Sequence, residues 1–344
     1  MKDLIYNLRR EEIAQFCAEL GQPQYRAGQV WQWLYHRFAE SFGAMKNIPE
    51  ALRLALEEHF AIDPLVVIRR QEEGGPGSTS KHLVRLRDNE SIELVFIPAK
   101  GKTTLCLSSQ VGCKYKCAFC ASGQAGFHRN LECGEMVGEV AYAARQLGGP
   151  PAHVVFMGMG EPFDNYDNVL KAIRIINDAD GLSVGARKIT ISTCGIIPGI
   201  ERLATEGLQV ELSVSLHAPD NELRSRLMPV NKLYPLADLL SACRKYAEAT
   251  GRLITFEYTL VKGVNDSREQ ARQLAALLSS LHCRVNLIML SPVAGFAGAT
   301  PMPETAKMFV NVLERASINA TIRISKGGNI QAACGQLRAC KKIN

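Results

Sequence analysis

From residue 103 onward the chain alternates short β-branched runs with amphipathic helical stretches, and this rhythm restricts its possible folds more than any other feature. Seven runs recur: TLCLSS (104–109), HVVFMG (153–158), KITIST (188–193), VELSVS (210–215), LITFEYTL (253–260), RVNLIML (284–290) and NATIRIS (319–325). Between them lie segments such as VLKAIRIINDA and SREQARQLAALLSSL, whose apolar residues return at helical spacing. Strands separated by helix-length connections read as parallel βαβ units with right-handed crossovers. They fit a complete or partial α/β barrel, or an open doubly wound sheet, and periodicity does not separate these. In all of them, chemistry gathers at the C-terminal ends of the strands.

The first 75 residues read differently. Leu4, Leu8, Ile13, Phe16 and Leu20 recur at helical spacing, as do Val30, Trp31, Leu34 and Tyr35, and PEALRLALEEHF (49–60) opens a third helix with proline. The stretch EEGGPGSTS (72–80) breaks the pattern, and KHLVRLR (81–87) and SIELVFIPA (91–99) flank a short polar turn, a hairpin signal. The expected organisation is a helical module over 1–75, a linker and hairpin over 76–102, and an α/β core over 103–344.

No apolar run approaches the roughly 18 residues of a membrane span, and MKDLIYNLRREEIAQF lacks the apolar segment of a signal peptide. A cytoplasmic protein without membrane partners is expected. The net charge of +6 is mild, but Arg323, Lys326, Arg338, Lys341 and Lys342 face no acidic residue from 323 to the end. Such a patch is usually a solvated face, and becomes informative only if other features point to a polyanion. The 11 cysteines are odd in number and partly clustered, which in a reducing compartment points to metal or thiol chemistry rather than disulfides.

Directly after the first parallel run comes VGCKYKCAFCASG, placing Cys113, Cys117 and Cys120 at C-x3-C-x2-C. A structural zinc site wants four closed ligands, usually from separated pairs. Three thiolates on one loop at a βα edge instead suit an iron–sulfur cubane with one iron left open. Phe119, beside the last thiol, would shield such a cluster from water.

This loop resembles that of the radical S-adenosylmethionine (SAM) superfamily. The longer stretch CLSSQVGCKYKCAFCASGQAGFHRNL, with MGMGEP (157–162), SLHAP (215–219), AACGQL (332–337) and LGQPQYRAGQVWQWLY (20–35), resembles the bacterial adenine C2 methyltransferases of 23S ribosomal RNA and transfer RNA. The resemblance implies a partial (β/α) barrel with a small N-terminal helical domain that grips RNA. It also implies a [4Fe-4S] cluster on Cys113, Cys117 and Cys120, SAM chelated to the open iron, and a reducing electron donor such as flavodoxin. Gly160 and Glu161 would meet SAM, the carboxylate facing its ammonium, and Ser192, Ser215, Leu216 and His217 match further SAM contacts.

Adenine C2 is too electron-poor to attack a sulfonium, so the resemblance implies a detour. Cys334 would take a methyl group, a SAM-derived radical would activate it for addition to C2, and Cys106 would release the product by forming a disulfide. Glu93 aligns with the base that removes the C2 proton, although from pattern alone it reads as a solvent-facing strand residue. Cys17, Cys133, Cys194, Cys243, Cys283 and Cys340 read as packing residues. Lys114, Lys116 and Arg129 would meet phosphates of an unstacked adenosine in a loop or single strand.

Two positions depart from the family pattern: Ser291-Pro292 stands where Asn-Pro is common, the Asn being a SAM contact, and Asn329 where an acidic residue is frequent. Two readings compete. One is the C8-methylating sister family of the antibiotic-resistance type; Pro162 and GQPQYRA favour the C2 enzymes. The other is a non-catalytic metal-containing RNA-binding protein, for which Cys106, Cys334 and Gly160-Glu161 would be superfluous.

Overall fold

The computed structural model describes residues 2–75 and 77–338; Cys340, Lys341 and Lys342 lie outside the described residues. Ten strands form one sheet: β1 (Leu65–Glu72), β2 (Ser80–Leu86), β3 (Ser91–Ala99), β4 (Lys102–Leu107), β5 (His153–Phe156), β6 (Ile189–Thr193), β7 (Glu211–Ser215), β8 (Ile254–Leu260), β9 (Cys283–Met289) and β10 (Asn319–Arg323). Spatial order follows chain order from β1 to β10. The first three strands and β4 pair antiparallel, while β4 through β10 pair parallel. Among the described residues no pairing joins β10 back to β1, so the sheet stays open.

Each parallel strand coincides with one of the seven β-branched runs, β4 and β9 beginning one or two residues earlier. All seven residues of β8 are buried, as expected of a parallel sheet covered on both faces. The connecting helices carry one apolar stripe inward. Residues Tyr166–Asn177 bury Val169, Leu170, Ile173 and Ile176, each side chain contributing roughly 1.5–3 kcal/mol of burial. Ser267 accepts the Gln270 amide at 3.2 Å and Gln270 reciprocates at 2.9 Å, a capping box that starts Arg268–Leu278.

The N-terminal helices α1 (Arg10–Glu19), α2 (Tyr25–Tyr35) and α3 (Glu50–His59) pack as expected from their apolar stripes. The turn that precedes them, Ile5–Asn7, docks against the sheet's own helix α4 (Cys133–Leu147), most of which is buried. The approach is close: a Cβ on Gly134 would fall 2.9 Å from the Asn7 amide nitrogen. Trp31 donates its indole N–H to Asp178 at 3.2 Å.

Residues 65–72 are strand rather than helix. Leu-Val-Val-Ile is a β-branched run that pairs with β2, and the Gly-rich stretch after it is the hairpin turn, closed by Glu73 N–H to Thr79 O at 2.9 Å. The sheet therefore begins at Leu65. No helix among the described residues is long and apolar enough to cross a membrane.

Candidate active site

The C-terminal ends of β5–β10 open on a cavity of about 950 Å³, solvent at its mouth included. Cys113, Cys117 and Cys120 line it from the loop after β4. That loop is folded tightly: the Cys113 amide donates to Gly126 O at 2.9 Å, and Gly112, at φ +77°, crosses Gly126 so closely that a Cβ would lie 1.8 Å from its oxygen. Burial pushes the Cys113 thiol up to about 12. Burial first, then the neighbouring Cys120 and Cys113, push Cys117 well above the usual thiol value. Apposed thiols that resist ionisation are a group to which a bound cationic centre would restore thiolate character. Among the described residues no three His, Cys, Asp or Glu side chains close around one point as a single metal ion requires. A tetrahedral zinc at about 2.3 Å from each sulfur needs that closure. Ligands of a cubane, each on a different iron, stand farther apart. Phe119 lies edge-on to His217 at 4.8 Å and beside Phe296, an apolar screen on the cavity wall.

Gly160 and Glu161 follow β5 and line the cavity. Gly160 has φ +101°, and a Cβ there would sit 2.6 Å from the Gln110 Cβ, so the approach of the two loops requires glycine. Glu161 is buried and its carboxyl is raised by burial. Its oxygens accept the Phe163 amide at 3.0 Å and the Cys194 amide at 2.7 Å, which fix the carboxylate and leave lone pairs for a cationic ligand. Ser192, Ser215 and His217 also line the cavity. His217 Nδ1 accepts the Thr259 amide at 2.8 Å. Burial, then Arg224, lowers its imidazole to about 3, so it is neutral with its hydrogen on Nε2. Leu216 is fully buried and its side chain is not part of the cavity wall; its amide donates to Glu257 O at 3.0 Å. Ser291, at the family's Asn position, does line the cavity.

A second cavity adjoins the first and contains both remaining thiols, Cys106 from β4 and Cys334 from the loop after β10. Met157, Arg323 and Cys334 belong to both cavities. Cys334 is exposed. Cys106 is buried, and burial, then the Cys334 sulfur, pushes its thiol up to about 12 against the opposing pull of Arg323. Glu93 lines neither cavity. It is buried rather than solvent-facing, because the loop after β10 covers that face of β3: its Oε2 accepts the Arg338 amide at 3.0 Å and its Oε1 pairs with Lys81 at 2.9 Å.

Several cavity residues escaped the sequence reading. Cys194, read as packing, lines the wall and holds Glu161. Glu257 lies mid-strand in β8, its carboxyl raised by burial and its Oε2 without a hydrogen bond. Its signal was visible: an acidic residue inside the apolar run LITFEYTL. Arg323 faces it at 3.9 Å. Arg129 is spent on Glu135 at 2.7 Å and Asp88 at 2.6 Å, and Lys114 on Asp164, so neither stands free for phosphate as expected.

Comparison with known proteins agrees with this geometry. Residues 107–275 match the Radical SAM superfamily, and residues 4–62 match the ribosomal RNA large subunit methyltransferase N-terminal domain. A solved radical SAM methyltransferase from Sphaerobacter thermophilus superposes with a TM-score of 0.94 at 44% identity, covering 98% of this chain and 99% of that one. The chain is a radical SAM enzyme, and its cofactors are a [4Fe-4S] cluster and SAM. Relatives named "Probable dual-specificity RNA methyltransferase RlmN" share 46% identity in Symbiobacterium thermophilum (95% of this chain, 89% of that protein) and 45% in Moorella thermoacetica (95% of each). The chain belongs to this RlmN family of radical SAM RNA methyltransferases.

Proposed function

We propose that the enzyme methylates C2 of adenosine in 23S ribosomal RNA and in transfer RNA through a methyl-cysteine intermediate. The observation carrying this reading is that Cys334 lines both cavities, with the cluster-loop thiols in one and Cys106 in the other. A simple SAM-dependent methyl transfer to RNA needs no second thiol such as the buried Cys106, and a metal-stabilised RNA-binding protein needs neither.

When bound, the cluster and SAM supply the methyl group and the radical that activates it. Cys113, Cys117 and Cys120 hold the cluster. Glu161, with Gly160, Ser192, Ser215, His217 and the Leu216 backbone, orients SAM. Cys334 accepts the methyl group, Glu93 takes the C2 proton from the RNA adduct, and Cys106 displaces the product by forming a disulfide with Cys334. The helical module grips RNA, and a reducing donor such as flavodoxin supplies electrons.

The test is mass spectrometry of nucleosides from 23S ribosomal RNA and from transfer RNA, each incubated with the reconstituted enzyme. 2-Methyladenosine in both is the expected result. Exclusive 8-methyladenosine would favour the sister activity, and 2-methyladenosine in one RNA alone would restrict the substrate range. Cys106→Ala is expected to accumulate a covalent RNA–protein adduct, and ordinary turnover by that variant excludes its resolving role.

A further inference from the structure

The loop bearing Cys334 is fastened to the β1–β3 extension by buried charges for which the steps above assign no purpose beyond Glu93 itself. Lys81 on β2 and Glu93 on β3 form an ion pair at 2.9 Å with side chains only 7% and 6% exposed. Each partner also reaches the loop. Lys81 Nζ donates to the Gln331 carbonyl at 3.1 Å, and Glu93 Oε2 accepts the Arg338 amide at 3.0 Å. Cys334 lies between these two points. Upstream, Glu73 accepts the Gly327 amide at 2.6 Å and Lys326 donates to Pro98 O at 2.6 Å. On the far side Ala121 N–H donates to Gly335 O at 2.7 Å and Ser122 Oγ to Leu337 O at 2.5 Å.

Burying a lysine–carboxylate pair is a poor way to gain stability, because desolvation offsets the attraction and an apolar pair often serves as well. Its geometry suggests another use. One ammonium and one carboxylate together bracket the segment that carries the nucleophile, so the strength of the bracket depends on the carboxylate's charge.

We propose that Lys81 is a positioning residue that fastens Glu93 to the Cys334 loop, so that proton uptake by Glu93 loosens the loop for the resolving step. This rests on Glu93 being the base. In that step the C2–H bond breaks and its proton passes to the carboxylate. The Cys106 sulfur bonds to the Cys334 sulfur as the Cys334 S–CH2 bond breaks. That electron pair and the Cys106 proton complete the product methyl group, and the unpaired electron of the adduct returns to the cofactor that supplied it. The neutral carboxyl no longer attracts the Lys81 ammonium and accepts the Arg338 amide more weakly, since charge-assisted hydrogen bonds are about twice as strong as neutral ones. The loop is then freer to bring Cys334 to Cys106.

The test uses cluster-reconstituted full-length enzyme with Lys81→Met and, separately, Glu93→Gln. Lys81→Met is expected to retain iron, to methylate Cys334 and to speed amide exchange across 327–338. It is expected to release RNA on the order of 10²-fold more slowly, because the loop is already free but the base is no longer oriented to take the C2 proton, with adduct accumulating on denaturing gels. Glu93→Gln, which mimics the neutral carboxyl with Lys81 intact, is expected to speed amide hydrogen exchange across 327–338. Wild-type release by Lys81→Met, or unchanged exchange in Glu93→Gln, overturns the proposal. If Lys81→Met does not fold, the exchange result decides alone. Glu93→Gln that turns over without adduct removes the base reading itself. Trapping by Glu93→Gln beside normal turnover by Lys81→Met removes only the role of Lys81.

Discussion

Gly335→Ala is a small change with a consequence that can be worked from the structure. Gly335 adopts φ +83°, and an added Cβ would fall 2.7 Å from the Phe119 carbonyl oxygen, where ordinary contact begins near 3.4 Å. The left-handed conformation costs an alanine about 1–2 kcal/mol, and relieving the contact requires a retreat of about 0.7 Å (3.4 minus 2.7). Phe119 cannot supply that movement freely, because it precedes Cys120 and its ring packs on His217. The retreat must come from the loop, and it carries Cys334 with it. A misplacement near 1 Å at a reacting group can cost on the order of 10²-fold in rate. The assay is single-turnover methylation of Cys334, followed by peptide mass spectrometry, beside iron content of the reconstituted protein. A loss of about 10–10²-fold in methylation with iron unchanged is expected. Wild-type methylation would refute the claim that the backbone contact between the two loops sets the position of Cys334, and loss of iron would show that the cluster loop had yielded instead.

Cys117→Ser should abolish stable iron binding, measured by iron content and visible absorbance, because it removes the thiol most enclosed by the other two. His217 is neutral in the fold at about 3 against an ordinary 6.5. The unfolded chain therefore takes up a proton first as pH falls, and the contribution of His217, complete above 6.5, is lost toward 3. Between pH 8 and pH 5 that loss is about 2 kcal/mol, so His217→Gln should be less stable at pH 8 yet show a correspondingly smaller drop on acidification by urea denaturation. An unchanged drop would mean the ring is not held neutral. Glu257→Gln keeps the Asn286 contact region but removes the charge facing Arg323. It should weaken SAM binding by equilibrium titration by about tenfold, the scale of one hydrogen bond to a charged group, because Oε2 makes no hydrogen bond within the fold and is open to a ligand hydroxyl; unaltered affinity argues that it receives none.

The sequence alone placed the parallel strands along the chain, because β-branched runs alternate with helix-length connections, and it located the three thiols of the C-x3-C-x2-C loop, which are local in the chain. The spatial order of the strands came only with the folded sheet, since a barrel and a doubly wound sheet pair the same runs differently. The hairpin of β2 and β3 was equally legible from its polar turn. Strand β1 was not, since its apolar residues gain meaning only by pairing with β2. The family motifs named Cys106, Cys334 and Glu93, but residues over 200 apart come to one place only when the sheet is built and the last loop folds back across it. That folding back also explains why Glu93 is buried: strand alternation reports which face a side chain takes, not what later segment covers that face. Arg323, Lys81 and the pairing of Glu257 belong to the same category, because desolvation and pairing are properties of the packed interior and leave little trace in linear spacing.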